Sequence, residues 1–216
     1  MRSLTFITAS VLIAVSCSQS CAGLLTNASL GQSASRSGWV PVSNSGFTIS
    51  LPPDMKVKIL SKDDENNLAD RASKRHPGDQ KAMTALKTDA AKGRLKFVAT
   101  LKKASATGFH NALAVLVEPN TGSKTEDELL KSNMKSLEKT SEPGSVLGSK
   151  IHLPCGSAIR IQSNKLRPGA ATSAATTYLM IHANQLYVFS FVSHLDDKEV
   201  WRTTASSAME SLKFDH

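Results

Sequence analysis

Two long apolar runs near the C-terminus, 176–183 and 186–193, do most to limit what this chain can fold into. They are joined at Ala183-Asn184-Gln185, a turn so short that the runs must pair as an antiparallel hairpin. In the second run Tyr187, Phe189 and Phe191 fall on one side, and Leu186, Val188 and Val192 on the other. A strand that is apolar on both sides needs cover on both faces, so the hairpin belongs inside a layered sheet. The stretch from Ala112 to Val117 is also apolar at both parities and reads as a central strand.

Shorter runs supply the remaining elements. Phe47-Thr48-Ile49-Ser50-Leu51 alternates and stops at Pro52-Pro53, as an edge strand would. Met55-Lys56-Val57-Lys58-Ile59 alternates again. Leu95, Phe97, Ala99 and Leu101 face one way with Lys96 and Thr100 opposite, which predicts a strand with one wet face. Further strands are expected near Ile151-Leu153 and Ser157-Gln162. Thr125-Glu126-Asp127-Glu128 has the spacing of a capping box: a Thr hydroxyl for the third amide, and a Glu reaching back. The helix it opens carries Leu129, Leu130, Met134 and Leu137 on one stripe, and Pro143-Gly144 closes the unit. Asp196 or Asp197 is expected to cap a final helix. Its stripe is Val200, Trp201, Thr204, Ala205, Ala208, Met209 and Leu212, a spacing that reads as core packing rather than a ligand box. Strands, helix, strands, helix, with hairpin-length links, predict an α+β domain: a mainly antiparallel β-sheet flanked by α-helices in an α/β/α sandwich.

The first residues speak to compartment. Residues 1–22 place Arg2 before an apolar stretch from Leu4 to Val15, too short to span a bilayer and suited to an export signal. Two processing routes are open. A peptidase can cut after Ala22, where Ser20 and Ala22 are the small residues it reads; or Ala14-Val15-Ser16-Cys17 acts as an imperfect lipobox, with Cys17 taking the lipid. An uncleaved anchor is the third possibility. Residues 23–38 are rich in Ser, Asn, Gly and Ala and read as a flexible linker, leaving 39–216 as the folded domain. The expected location is therefore periplasmic or extracellular, with peripheral attachment to a bacterial envelope membrane if Cys17 is lipidated. Asn27-Ala28-Ser29 is a glycosylation sequon that matters only in a eukaryotic secretory route.

A formal charge of +8 favours acidic partners, and the expected partner is an envelope protein, a lipid or an acidic polymer. Nucleic acid is not expected, because there is no dense Lys/Arg run interleaved with aromatics. Between residues 61 and 93 lies a polar insertion with a helical stretch over 80–92 closed by Gly93. Its Lys74, Arg75, Lys81, Lys87 and Lys92, interspersed with Asp70, Asp79 and Asp89, are the candidate partner contacts.

No catalytic, cofactor or metal site is legible. The chain has no Walker loop, dinucleotide fingerprint, His-Glu-x-x-His, Cys-x-x-Cys or Gly-x-Ser-x-Gly. None of the six histidines pairs with another at zinc-site spacing on one element. The hairpin is expected to bring His182 near a polar residue of another strand. Cys155, after Pro154 at the start of a strand, reads as a buried, inert thiol. The expected class is a non-catalytic binding module; the alternative is a small secreted enzyme whose site is assembled from scattered residues.

Gly46-Phe47-Thr48-Ile49-Ser50-Leu51-Pro52 resembles the opening strand of PsbP-like and DcrB-like domains. The family's central strand and amphipathic helix resemble 112–119 and 125–139, its Gly-containing strand pair 148–162, and its closing Ser-Leu/Phe-x-Phe resembles Ser211-Leu212-Lys213-Phe214. The resemblance covers residues 37–214 as a pattern of core positions. It implies an antiparallel sheet between helices, a fold shared with the Ran-binding nuclear transport factor. It also implies an exported or membrane-extrinsic binding or assembly factor, with no active site to carry over. Met55 stands where the family often has Trp, and the insertion at 61–93 is longer than in the short members.

Overall fold

The computed structural model describes residues 38–44, 46–61, 63–64, 67, 92–104, 110–165 and 173–215. The export segment with Cys17 and Ala22, the linker up to residue 37, and Lys74, Arg75, Lys81 and Lys87 all lie outside the described residues. So does the helix expected over 80–92, apart from Lys92.

Among the described residues ten strands form two antiparallel sheets. The large one has the order β3 (Met55–Ile59), β4 (Leu95–Leu101), β5 (Ala112–Pro119), β9 (Gln185–His194), β8 (Ser173–His182), β7 (Gly156–Lys165), β6 (Leu147–Leu153). The small one has the order β1 (Val40–Asn44), β2 (Phe47–Leu51), β10 (Lys213–Phe214). Helix α1 (Glu126–Leu137) packs on β6 and β7 from one side. Helix α2 (Lys198–Glu210) packs on β8 and β9 from the other, beside β2. The α+β class and the flanking helices are as the sequence predicts. The small sheet on α2's side has no counterpart in the sequence pattern.

The hairpin is the core of the arrangement. β8 and β9 pair over ten residues each, and β5 lies on the far side of β9. The turn has two residues, Ala183 and Asn184, both in the left-handed region (φ 46° and 58°), which matches the strands' twist. Because parity alternates, the two faces sort the side chains into two cores. Ala112, Ala114, Leu116, Val188 and Val192 meet Leu129 and Leu137 of α1's side. Leu113, Val115, Tyr187, Phe189 and Phe191 meet Trp201, Ala205, Met209 and the inward face of β2.

The capping box forms as expected: Glu128 N–H donates to Thr125 Oγ1 (3.3 Å), and Thr125 N–H donates to Glu128 Oε2 (2.9 Å). Five expectations are corrected. β2 is not an edge strand, because β10, formed by the tail after α2, takes the side that Pro52 was expected to leave open. β4 does not have one wet face: its register on β5 shifts between Leu95 and Phe97, which turns Leu95 to join Val98 on α1's side while Phe97 and Ala99 stay on α2's. Neither Asp196 nor Asp197 caps α2 with its side chain; Asp197 instead accepts from Asn111 Nδ2 (3.3 Å). Val200 leaves the apolar stripe and is 50% exposed, because it lies about 100° around the helix from Trp201, at the margin of the buried face. Cys155 is in the Pro154-Cys155 turn between β6 and β7, half-buried rather than buried.

Candidate functional site

On the α2 side of the large sheet the described cover ends before β7 and β6. One row runs Phe97, Val115, Phe189, Tyr178, Arg160, Ser149 from β4 to β6. The next runs Ala99, Leu113, Phe191, Thr176, Gln162, Leu147. In both, the β4–β8 positions are buried and the last two, on β7 and β6, are half-buried or exposed. Helix α2 covers β8 and β9. Beyond it, β7 and β6 form a shelf lined by Arg160, Gln162, Ser149, Ile151 and Leu147, the last 60% exposed.

Tyr178 marks the inner wall of the shelf. Its ring is buried edge-on to Phe191, and its hydroxyl lies 3.3 Å from Ser206 Oγ of α2. Burial pushes the Tyr178 phenol up, partly offset by the Ser206 hydrogen bond and by the positive charge of Arg160 beside it. Arg160 is half-buried and makes no hydrogen bond or ion pair among the described residues. One helical turn from Ser206 stands Arg202, whose Nη1 donates to Glu199 (2.8 Å) while its Nε is buried without a hydrogen-bond partner among the described residues. Trp201 Nε1 is likewise buried with no partner among the described residues. The shelf thus joins apolar positions at its rim to a guanidinium free to take a carboxylate or another flat anion.

The other buried polar groups hold the fold together. Asn111 bridges the start of β5 to the end of β9: it donates to Asp197, and its Oδ1 accepts from His194 N–H (3.3 Å). Buried His110 contacts Leu101 carbonyl through Nδ1 (2.8 Å). His182 does not seek a polar neighbour; its ring stacks on Phe214, with centroids 4.1 Å apart and planes at 6°, pinning β10. Burial raises the Cys155 thiol, which lowers the fraction available as thiolate. Among the described residues no three His, Cys, Asp or Glu converge to hold a metal ion, and no helix is long and apolar enough to cross a membrane.

Of the predicted partner contacts only Lys92 is described; it is exposed in the turn before β4. The sequence reading missed Arg160. The signal was present, since Ala158, Arg160 and Gln162 share one parity of a strand whose other parity is Ile159 and Ile161.

No family model matches the chain, and no curated protein matches it. Among solved structures, it is similar to the solution structure of cyanobacterial PsbP (CyanoP) from Synechocystis sp. PCC 6803. The TM-score is 0.51 at 9% identity, over 88% of this chain and 98% of that one. The chain has a PsbP-like fold. The resemblance seen in residues 46–52 is thus borne out at the level of architecture. A further likeness is to the crystal structure of LpqN, involved in cell envelope biogenesis of Mycobacterium tuberculosis (TM-score 0.49, 13% identity, 82% of this chain and 91% of that one). Within this PsbP-like fold, the shelf sits on the β6–β7 end of the sheet, at the far end from β3.

Proposed function

We propose that this chain is an exported, non-catalytic binding module of a cell envelope, and that its partner, a protein, docks on the shelf formed by β6, β7 and α2. The observation that carries the reading is Arg160: a half-buried arginine with no described counter-charge, set where the described cover of the sheet stops. A buried or half-buried cation without a partner is costly in an isolated domain, and a docked anionic group removes that cost. The export reading rests on Arg2 and the apolar stretch from Leu4 to Val15. The fold's likeness to a PsbP supports a binding or assembly role.

Attachment proceeds through Cys17 if it is lipidated, or the chain is released after Ala22; mass spectrometry of the mature N-terminus separates the two. Lys92 lies in the turn before β4, at the other end of the sheet from the shelf, so with Lys74, Arg75, Lys81 and Lys87 of the same insertion it would form a separate, salt-sensitive contact outside this docking surface. The test is photo-crosslinking in intact cells, with the crosslinker at Leu147 on the shelf or at Ile59 on the opposite edge. The expected result is one envelope protein joined from Leu147, not from Ile59, with a yield that falls as salt rises. Equal labelling from both positions, or none from Leu147, overturns the reading.

A further inference from the structure

We propose that β6 receives an added β-strand from the partner. This segment presents an apolar residue, an acidic residue and a second apolar residue at alternate positions, with the acid paired to Arg160. The inference rests on the binding-module reading and adds the mode and chemistry of recognition.

β6 is the last strand of the large sheet, and no described strand pairs with its outer side. Leu147, Lys150 and His152 are exposed along it, so the edge is open to solvent. Sheet edges usually carry devices against strand addition. The opposite edge, β3, has two: Lys56, next to a Lys58 that is itself paired with Asp64 (2.6 Å), on one side of a five-residue strand, and Pro52-Pro53 before it. β6 has neither. It pairs with β7 through seven successive residues without a bulge and contains no proline. Its single lysine, Lys150, is committed to Asp127 of α1 (2.8 Å). The edge is regular, undefended and backed by a sheet, the arrangement from which an added strand gains main-chain hydrogen bonds.

The shelf face of β6 supplies the selection rule. Leu147, Ser149 and Ile151 alternate as apolar, small, apolar, and directly behind Ser149 stands Arg160. Each strand spacing is about 4.8 Å, so an added strand lies roughly 10 Å from β7. An extended Arg and a Glu together bridge that gap, and the short Ser149 side chain between them leaves the way clear. Residues of the added strand two positions to either side of the acid then rest on Leu147 and Ile151. A second copy of this chain is not the occupant through its own edge strands. Neither β6 (LGSKIHL) nor β3 (MKVKI) carries an acidic residue, so pairing of these edges leaves Arg160 unanswered and adds positive charge.

The test uses the processed chain and a library of random peptides displayed on phage. The wild type is expected to enrich the alternating apolar, acidic, apolar pattern. A synthetic peptide of that sequence should lose about tenfold or more in affinity when its Glu becomes Gln, as expected for a charge-assisted hydrogen bond. In Arg160→Gln the Glu and Gln peptides should bind equally, and Arg160→Glu should select a basic residue at the same place. Circular dichroism confirms that each variant is folded, and Arg160→Lys, which keeps the charge, should retain the acid preference. Bound peptide should slow amide exchange along β6 and leave β3 unchanged. The proposal is overturned if the wild type enriches no peptides, if the acid preference is absent or survives Arg160→Gln, or if β6 amides are unaffected. Crosslinking of a partner at Leu147 without acid preference would leave the module reading standing and remove strand addition alone.

Discussion

Thr177 and Ser190 face each other across β8 and β9 with their hydroxyls 2.8 Å apart, inside the core on α1's side. Ser190 is fully buried and Thr177 nearly so. Each hydroxyl is therefore satisfied by the other. Thr177→Val keeps the shape but orphans Ser190, and should lower stability by about 1–3 kcal/mol in urea unfolding. Thr177→Val combined with Ser190→Ala removes both partners and should recover most of that loss. If the double variant is as unstable as the sum of the singles, the pair is not coupled.

Trp201 is the largest side chain that α2 contributes to the core, 4% exposed and edge-on to Phe191 at 6.3 Å. Trp201→Ala should cost about 3–5 kcal/mol, because the sheet beneath cannot close over the void. Its indole N–H has no described partner, so Trp201→Phe should be far milder. Thermal unfolding of both variants checks the order; an unchanged melting temperature for Trp201→Ala would count against α2 packing on the sheet.

Gly148 sets the approach of α1 to β6. A Cβ there would lie 2.5 Å from Met134 Sδ and 2.7 Å from Leu130 Cδ1. Gly148→Ala should destabilise by about 1–3 kcal/mol through overpacking. Met134→Ala, which opens space beneath, should rescue part of the Gly148→Ala defect when the two are combined. Additive losses in denaturant titration would show that the contact is not what matters.

The capping box of α1 is sensitive to acid. Hydrogen bonds from Thr125 N–H and then from its hydroxyl hold the Glu128 carboxyl below its ordinary value. A carboxyl depressed in the folded state stabilises fully above the unfolded pKa. That contribution is lost as pH falls through the folded one. Glu128→Gln should therefore be less stable than wild type at neutral pH, with the difference shrinking below about pH 4. Urea midpoints of the two proteins between pH 7 and pH 3 test this; a gap that stays constant or widens with acid rules out the linkage.

Much of the fold follows from local rules that operate along the chain. Two-sided apolar runs at 112–117 and 186–193 can only be central strands, and Thr125 with Glu128 can only start a helix economically. What depends on partners distant in sequence was not legible. Phe47–Leu51 ends in prolines and reads as an edge, but β10, more than 160 residues later, pairs with it. Leu95 shares parity with Phe97, yet a bulge against β5 sends the two to opposite cores. Arg160 is an ordinary strand residue until tertiary packing ends α2's cover one strand short of it. By itself the sequence determined the layered α+β architecture and the residues able to fill its core, because burial of alternating apolar side chains leaves few alternatives. The tertiary structure alone decided which edge stays open and which charge stands unanswered there, because both depend on which elements happen to lie beside them.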